Sequence, residues 1–139
     1  MSEANKTLIR RLVEEVQNRH NVDAIGEFIA PSFVNYDPLP GLPGTLEGAK
    51  QLHRMLFAAL PDLKMTIHDQ AAEGDKVWTR KTASGTHQGE LLGIPATGKQ
   101  VSWTIIDIMT IRNGKVTEHW AVVDVMGLMQ QLGAVPNRG

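Results

Sequence analysis

With 139 residues, 42% of them hydrophobic, the chain is long enough to bury one core and gives no sign of a second domain; residues 1–139 read as a single domain. Fourteen basic residues against fifteen acidic ones, with no block of like charge, speak against a nucleic-acid partner. Zero cysteines exclude disulfides, thiolate catalysis and cysteine-ligated metal sites.

The start, MSEANKTLIRRLVEEV, carries charges throughout and has no continuous apolar core, so it does not read as a secretory signal. No stretch approaches the roughly 20 apolar residues of a membrane span. The expectation is a soluble, cytoplasmic protein with no membrane partner.

Leu8, Ile9, Leu12, Val13 and Val16 lie at helical spacing and predict a helix over 4–19. Asn21 followed by Val22, Ile25, Phe28 and Ile29 predicts a short second helix ended by Pro31, completing a helical hairpin. NYDPLPGLPG is too rich in proline and glycine for regular structure, which puts Asn35, Tyr36 and Asp37 where a short extended stretch enters a loop. Thr45 can cap a third helix running to about Leu60.

From there the pattern changes to strands: Leu63–Ala71, Lys76–Thr86 across a Glu73-Gly74-Asp75 turn, a loop containing GELLGIPATGK, and a hairpin over 101–124. Asp124 can cap a last short helix, VMGLMQQL, stopped by Gly133. Helices first and a meander afterwards predict an α+β fold: a curved four-stranded antiparallel sheet closed into a cone by three N-terminal helices, with a short C-terminal helix. The cone interior is a natural pocket for a small molecule.

The hairpin VSWTIIDIMTIRNGKVTEHWAVVD places three acids, a histidine and two tryptophans among β-branched residues, and Asn113-Gly114 is a strong turn signal. A two-residue loop would set Asp107 across from Trp120. A three-residue loop with a glycine bulge shifts the parity and sets Asp107 across from His119. We prefer the bulged register, in which Trp103, Ile105, Asp107, His119, Ala121 and Val123 share one face while Trp120, Val122 and Asp124 take the other.

An Asp facing a His can fix the imidazole tautomer for acid/base work, although the same pair also serves as a satisfied polar contact in a sheet. Flanked by Ile106 and Ile108, Asp107 is expected to be buried, with its pKa raised, unless an arginine such as Arg80 pairs with it. His53, in line with Ala49, Leu56 and Leu60, faces either the pocket or solvent. His87, between Thr86 and Gln88, forms part of a mouth or bonds to the adjoining loop. Trp78 and Trp103 offer flat apolar surface to an aromatic ligand or simply fill a core. No Glu/His cluster has metal-ligand spacing, and no phosphate-binding glycine motif follows a strand, so neither metal nor nucleotide cofactor is expected.

THQGELLGIPATGKQV, RNGKVTEHW and the terminal MQQLG, spaced as they are after Pro61-Asp62-Leu63, resemble the SnoaL-like polyketide cyclase family across nearly the whole chain. The resemblance implies the nuclear-transport-factor-like cone and, in members that close polyketide rings, an intramolecular aldol reaction without metal or cofactor. It also implies site positions. The family's asparagine matches Asn35, its glutamine falls on Ile105, its histidine on Asp107 and its catalytic aspartate on Ala121. A branch named for hydroxylation of aromatic polyketides, similar in HQG and V.WT, keeps an acid near Asp107.

Three functions are thus expected to compete. One is a cofactor-independent enzyme acting on a carbonyl-containing or aromatic compound, with Asp107 and His119 catalytic and Asn35, Tyr36, His53, Trp78, His87, Trp103, Ile105 and Ala121 around the substrate. The others are a small-molecule binding protein on the same pocket and a dimeric scaffold. The apolar outer sheet face, with Trp120 and Val122, predicts a homodimer.

Overall fold

Ile9, Leu12, Val13 and Val16, spaced to fall on one side of a helix, are the residues the first helix buries. In the computed structural model, which describes residues 2–135, α1 (Ser2–Leu12) runs directly into a π-helical turn, Val13–Asn18. That turn also buries Gln17. A 3-10 segment follows at Val22–Glu27, but Pro31 does not end it. Ile29 and Pro31 belong to a strand, β1 (Ile29–Asn35), at the edge of the sheet, where a missing N–H costs no ladder bond.

Helix α2 (Leu46–Ala59) begins where Thr45 Oγ1 accepts the Gly48 N–H at 3.3 Å. Strands β2 (Lys64–Glu73), β3 (Lys76–Thr86), β4 (Gln100–Arg112) and β5 (Lys115–Val123) form the meander. A last helix, α3 (Val125–Gln131), is capped by Asp124, whose Oδ1 accepts the Gly127 N–H. The α+β class holds, but the sheet is five-stranded and mixed, in the order β1-β5-β4-β3-β2 with β1 parallel to β5. The extra strand escapes sequence reading because IAPSFVN carries a proline and little alternation.

The register of β4 on β5 decides what faces what. The turn is a two-residue one, with Asn113 and Gly114 both at positive φ (53° and 75°) and Arg112 paired with Lys115. The bulge sits farther along: Ile111 pairs with Val116 but Thr110 pairs with Glu118, leaving Thr117 extra on β5. Parity is therefore shifted as the bulged register requires, yet Asp107 pairs directly with Ala121 and His119 with Met109. Asp107 and His119 are diagonal neighbours on one face, close enough for side chains to meet.

Helices cover that inner face over two apolar clusters. Phe28, Val77 and Val116 centre one, and Leu60, Ala83 and Val101 the other. Among the described residues no helix is long and apolar enough to cross a membrane.

Candidate functional site

Between α1, α2 and the inner sheet face lies a cavity of about 190 Å³. Its walls are mostly apolar, with Phe33, Leu56, Trp103 and Ile105 among them, and its floor is polar. Alternation along each strand builds that floor: Lys81 from β3, Asp107 from β4 and His119 from β5 share the inward parity.

The floor groups form one connected chain. His119 Nδ1 lies 2.9 Å from Asn35 Oδ1, an oxygen that also accepts the Asp37 backbone N–H at 3.0 Å, which fixes the orientation of the amide. His119 Nε2 lies 2.8 Å from Asp107 Oδ1. Both ring nitrogens thus face oxygen acceptors, and a neutral ring, with one N–H, can donate to only one of them. Asp107 Oδ2 sits 2.7 Å from Lys81 Nζ in an ion pair whose side chains are 5% and 3% exposed.

Beyond Lys81 the chain continues into the helices. Lys81 Nζ donates to Gln17 Oε1 at 3.3 Å, and Gln17 Nε2 lies 3.2 Å from His53 Nε2. The Ala49 carbonyl, 2.7 Å from His53 Nδ1, can only accept, so Nδ1 carries the proton. Nε2 then accepts from Gln17, which leaves the Gln17 oxygen for Lys81. Burial pushes the His53 pKa down, in keeping with a neutral ring.

Asp107 departs from expectation. Burial alone pushes its carboxyl up, but the charge of Lys81 and the bond from His119 outweigh burial and hold it well below the usual carboxylate range. The expected partner, Arg80, faces outward and pairs with Asp69 at 2.9 Å; the ion pair to Asp107 comes from its neighbour Lys81. Asp107 is therefore a fixed carboxylate, with His119 Nε2 and Lys81 Nζ against its two oxygens.

The cavity brings together Asn35, His53, Trp103, Ile105, Asp107, His119 and Ala121 of the expected site. Three other expected residues lie elsewhere. Tyr36 is exposed, stacks on Trp120 with ring centroids 4.9 Å apart and donates to Glu118 Oε2, because the strand parity that turns Asn35 inward turns Tyr36 out. Trp78 follows buried Val77 and precedes buried Thr79, so it takes the outer face. His87 is fully buried under its own loop, its Nδ1 facing the Thr97 hydroxyl at 2.9 Å and its backbone paired to Lys99 and Gly98.

Lys81 and Gln17 were not singled out from the sequence. Lys81 was within reach, since it shares parity with Val77 and Ala83, where an inward lysine stands out. Gln17 follows Val13 by four residues on the apolar stripe of the first helix, a weaker sign that the π turn makes good.

Residues 7–132 match the SnoaL-like polyketide cyclase family, and the chain belongs to that family. Aklanonic acid methyl ester cyclase DauD from Streptomyces sp. (strain C5) is 32% identical over 136 residues, an alignment covering 91% of this chain and 80% of DauD. Among solved structures, TsrD from Streptomyces laurentii superposes with a TM-score of 0.87 at 31% identity, covering 96% of this chain and 97% of TsrD. AclR from Streptomyces galilaeus, a candidate hydroxylase, does so with a TM-score of 0.88 at 32% identity, covering 100% and 86%.

Proposed function

We propose that this chain is a cofactor-independent cyclase that closes a ring in a polyketide-derived ester by intramolecular aldol addition, with His119 as the proton carrier. The observation that carries the reading is the buried Asp107–His119 pair at the floor of an apolar cavity. Asp107 holds the Nε2 proton and compensates the charge that develops on the ring, so the bare nitrogen of the neutral ring is Nδ1, which leaves Asn35 Oδ1, an acceptor like itself, to meet substrate. Nδ1 takes the proton from carbon next to a carbonyl, leaving the C–H electron pair as an enolate. The enolate carbon then bonds to a second carbonyl carbon, and the resulting alkoxide takes the proton back from Nδ1. The product is an isomer of the substrate.

The family positions support this assignment. Its histidine falls on Asp107 and its aspartate on Ala121, and these two are direct cross-strand partners. Here the carboxylate stands on the opposite member of the rung, and the imidazole has moved to β5, two residues before Ala121. Carboxylate and imidazole have exchanged strands while keeping the same cavity.

The substrates of the relatives define the test. Aklanonic acid methyl ester and nogalonic acid methyl ester, incubated with the protein, are expected to give products of unchanged mass, resolved by chromatography. His119→Ala is expected to lower turnover by about 10²-fold or more. No isomerisation of either ester by the native chain, or full turnover by His119→Ala, would overturn the reading.

Ala121 at the family's aspartate position favours a second reading, ligand binding without turnover; saturable binding of the esters with no new isomer would establish it. We also propose a homodimer through the outer sheet face, where Ile106 and Val122 are exposed, 39% and 72% respectively. Sedimentation that returns a monomer at micromolar concentration would exclude it.

A further inference from the structure

We propose that Lys81 is a ligand for substrate oxygen: its buried ammonium binds the enolate oxygen of a 1,3-dicarbonyl compound in the cavity, with Gln17 and His53 holding it in place. This deepens the cyclase reading and rests on it for the identity of the ligand.

The argument begins with charge. Before proton transfer the floor holds one fixed cation, Lys81, and one fixed anion, Asp107. Once His119 has taken a proton there are two cations and still one carboxylate, whose two oxygens are already divided between them at 2.7 Å and 2.8 Å. The second anion is the enolate, and in a site this dry it must lie against a cation. Lys81 can receive it. Its ammonium donates to Gln17 Oε1 and lies in ion-pair contact with Asp107 Oδ2, and the residue lines the cavity.

The groups behind Lys81 suit this role. A lysine that served only to neutralise Asp107 would need no further polar support. Here a buried glutamine accepts from it, and that glutamine is itself oriented by a buried histidine whose other nitrogen is fixed on a backbone carbonyl. Each link has one orientation, so the ammonium is held ready before any ligand arrives, which is what stabilisation of a developing oxyanion requires.

A non-cyclising probe separates this inference from the catalytic one. Benzoylacetone ionises to an enolate with its own ultraviolet band, and 4-phenyl-2-butanone is a monoketone of similar size that does not ionise under the same conditions. Titrated into the native chain, the diketone is expected to bind about tenfold or more tighter than the monoketone, the range of one charge-assisted hydrogen bond, with growth of the enolate band. Lys81→Met should abolish both the preference and the band.

Should Lys81→Met fail to fold with Asp107 unpaired, Lys81→Met combined with Asp107→Asn leaves no orphaned charge and is expected to behave the same way in titration. His119→Ala should keep the diketone preference while losing ester turnover, so failure of the cyclase reading and failure of this one are distinguishable. Equal affinity of the native chain for the two ketones would overturn the proposal. So would an undiminished preference or band in either Lys81 variant.

Discussion

Arg80 and Lys81 are neighbours on one strand, each in an ion pair with an aspartate, yet they live in different physical regimes. The Arg80–Asp69 pair stands on the outer face with side chains 48% and 64% exposed, and the Lys81–Asp107 pair on the inner face with 3% and 5%. Water and salt screen the first. The second has lost its hydration and depends entirely on its partners. The contrast extends across the sheet, since Trp78 and Trp120 lie outward while the charges lie in the dry interior. Residue type alone does not choose the side; strand parity does, and on β5 parity depends on a single residue.

That residue is Thr117, and inserting one further residue between it and Glu118 is the largest perturbation available to this comparison. With a one-residue bulge kept, the insertion would pair Asp107 with Trp120, so that the outer tryptophan would turn inward and His119 outward. We expect loss of cooperative unfolding in urea together with loss of the near-ultraviolet tryptophan signal. An insertion variant that melts like the parent would mean the register is set elsewhere.

Breaking one ion pair at a time sharpens the same contrast. Asp107→Ala leaves the Lys81 ammonium buried without its carboxylate and is expected to destabilise the fold by about 3–5 kcal/mol in urea denaturation. Asp69→Ala on the outer face should leave the midpoint nearly where it was. Combining Asp107→Ala with Lys81→Met should cost less than the sum of the two single changes, because the pair is removed together. Additive costs would show that the two side chains do not depend on each other.

How much of this could be read from the sequence follows the same lines. The helix over the first residues, the Thr45 and Asp124 caps, the strand Lys76–Thr86 and the Asn113-Gly114 turn are written in local spacing, and the structure keeps them. The family resemblance is likewise borne by contiguous phrases. What did not show was non-local. Strand β1 exists because β5 offers an edge to the segment around Pro31, and sequence alone placed a helix end there. The shifted parity of the hairpin was read, but the bulge was put at Gly114, which made Asp107 and His119 directly opposed where they are diagonal. Burial of Asp107 was anticipated; the direction of its pKa was not, because that depends on Lys81, twenty-six positions away and across a strand.

The smallest effect concerns His53, at the far end of the buried chain. Burial is the main cause that lowers its pKa and the Lys81 charge adds to it, while the bond to Ala49 and the Asp107 charge act the other way. A depressed value in the folded state means that the unfolded chain takes up the proton first as pH falls. Stability is therefore fully present above the ordinary histidine value of 6.5 and is lost as pH drops from there through the lower folded value. His53→Leu removes that term while keeping an apolar side chain of similar bulk, at the expense of the Gln17 contact. Urea midpoints measured at pH 7 and pH 5 should fall less in His53→Leu than in the parent. An equal fall in both chains would mean that His53 is not the group whose protonation loosens the floor, and that the acid sensitivity lies nearer the Asp107–His119 end.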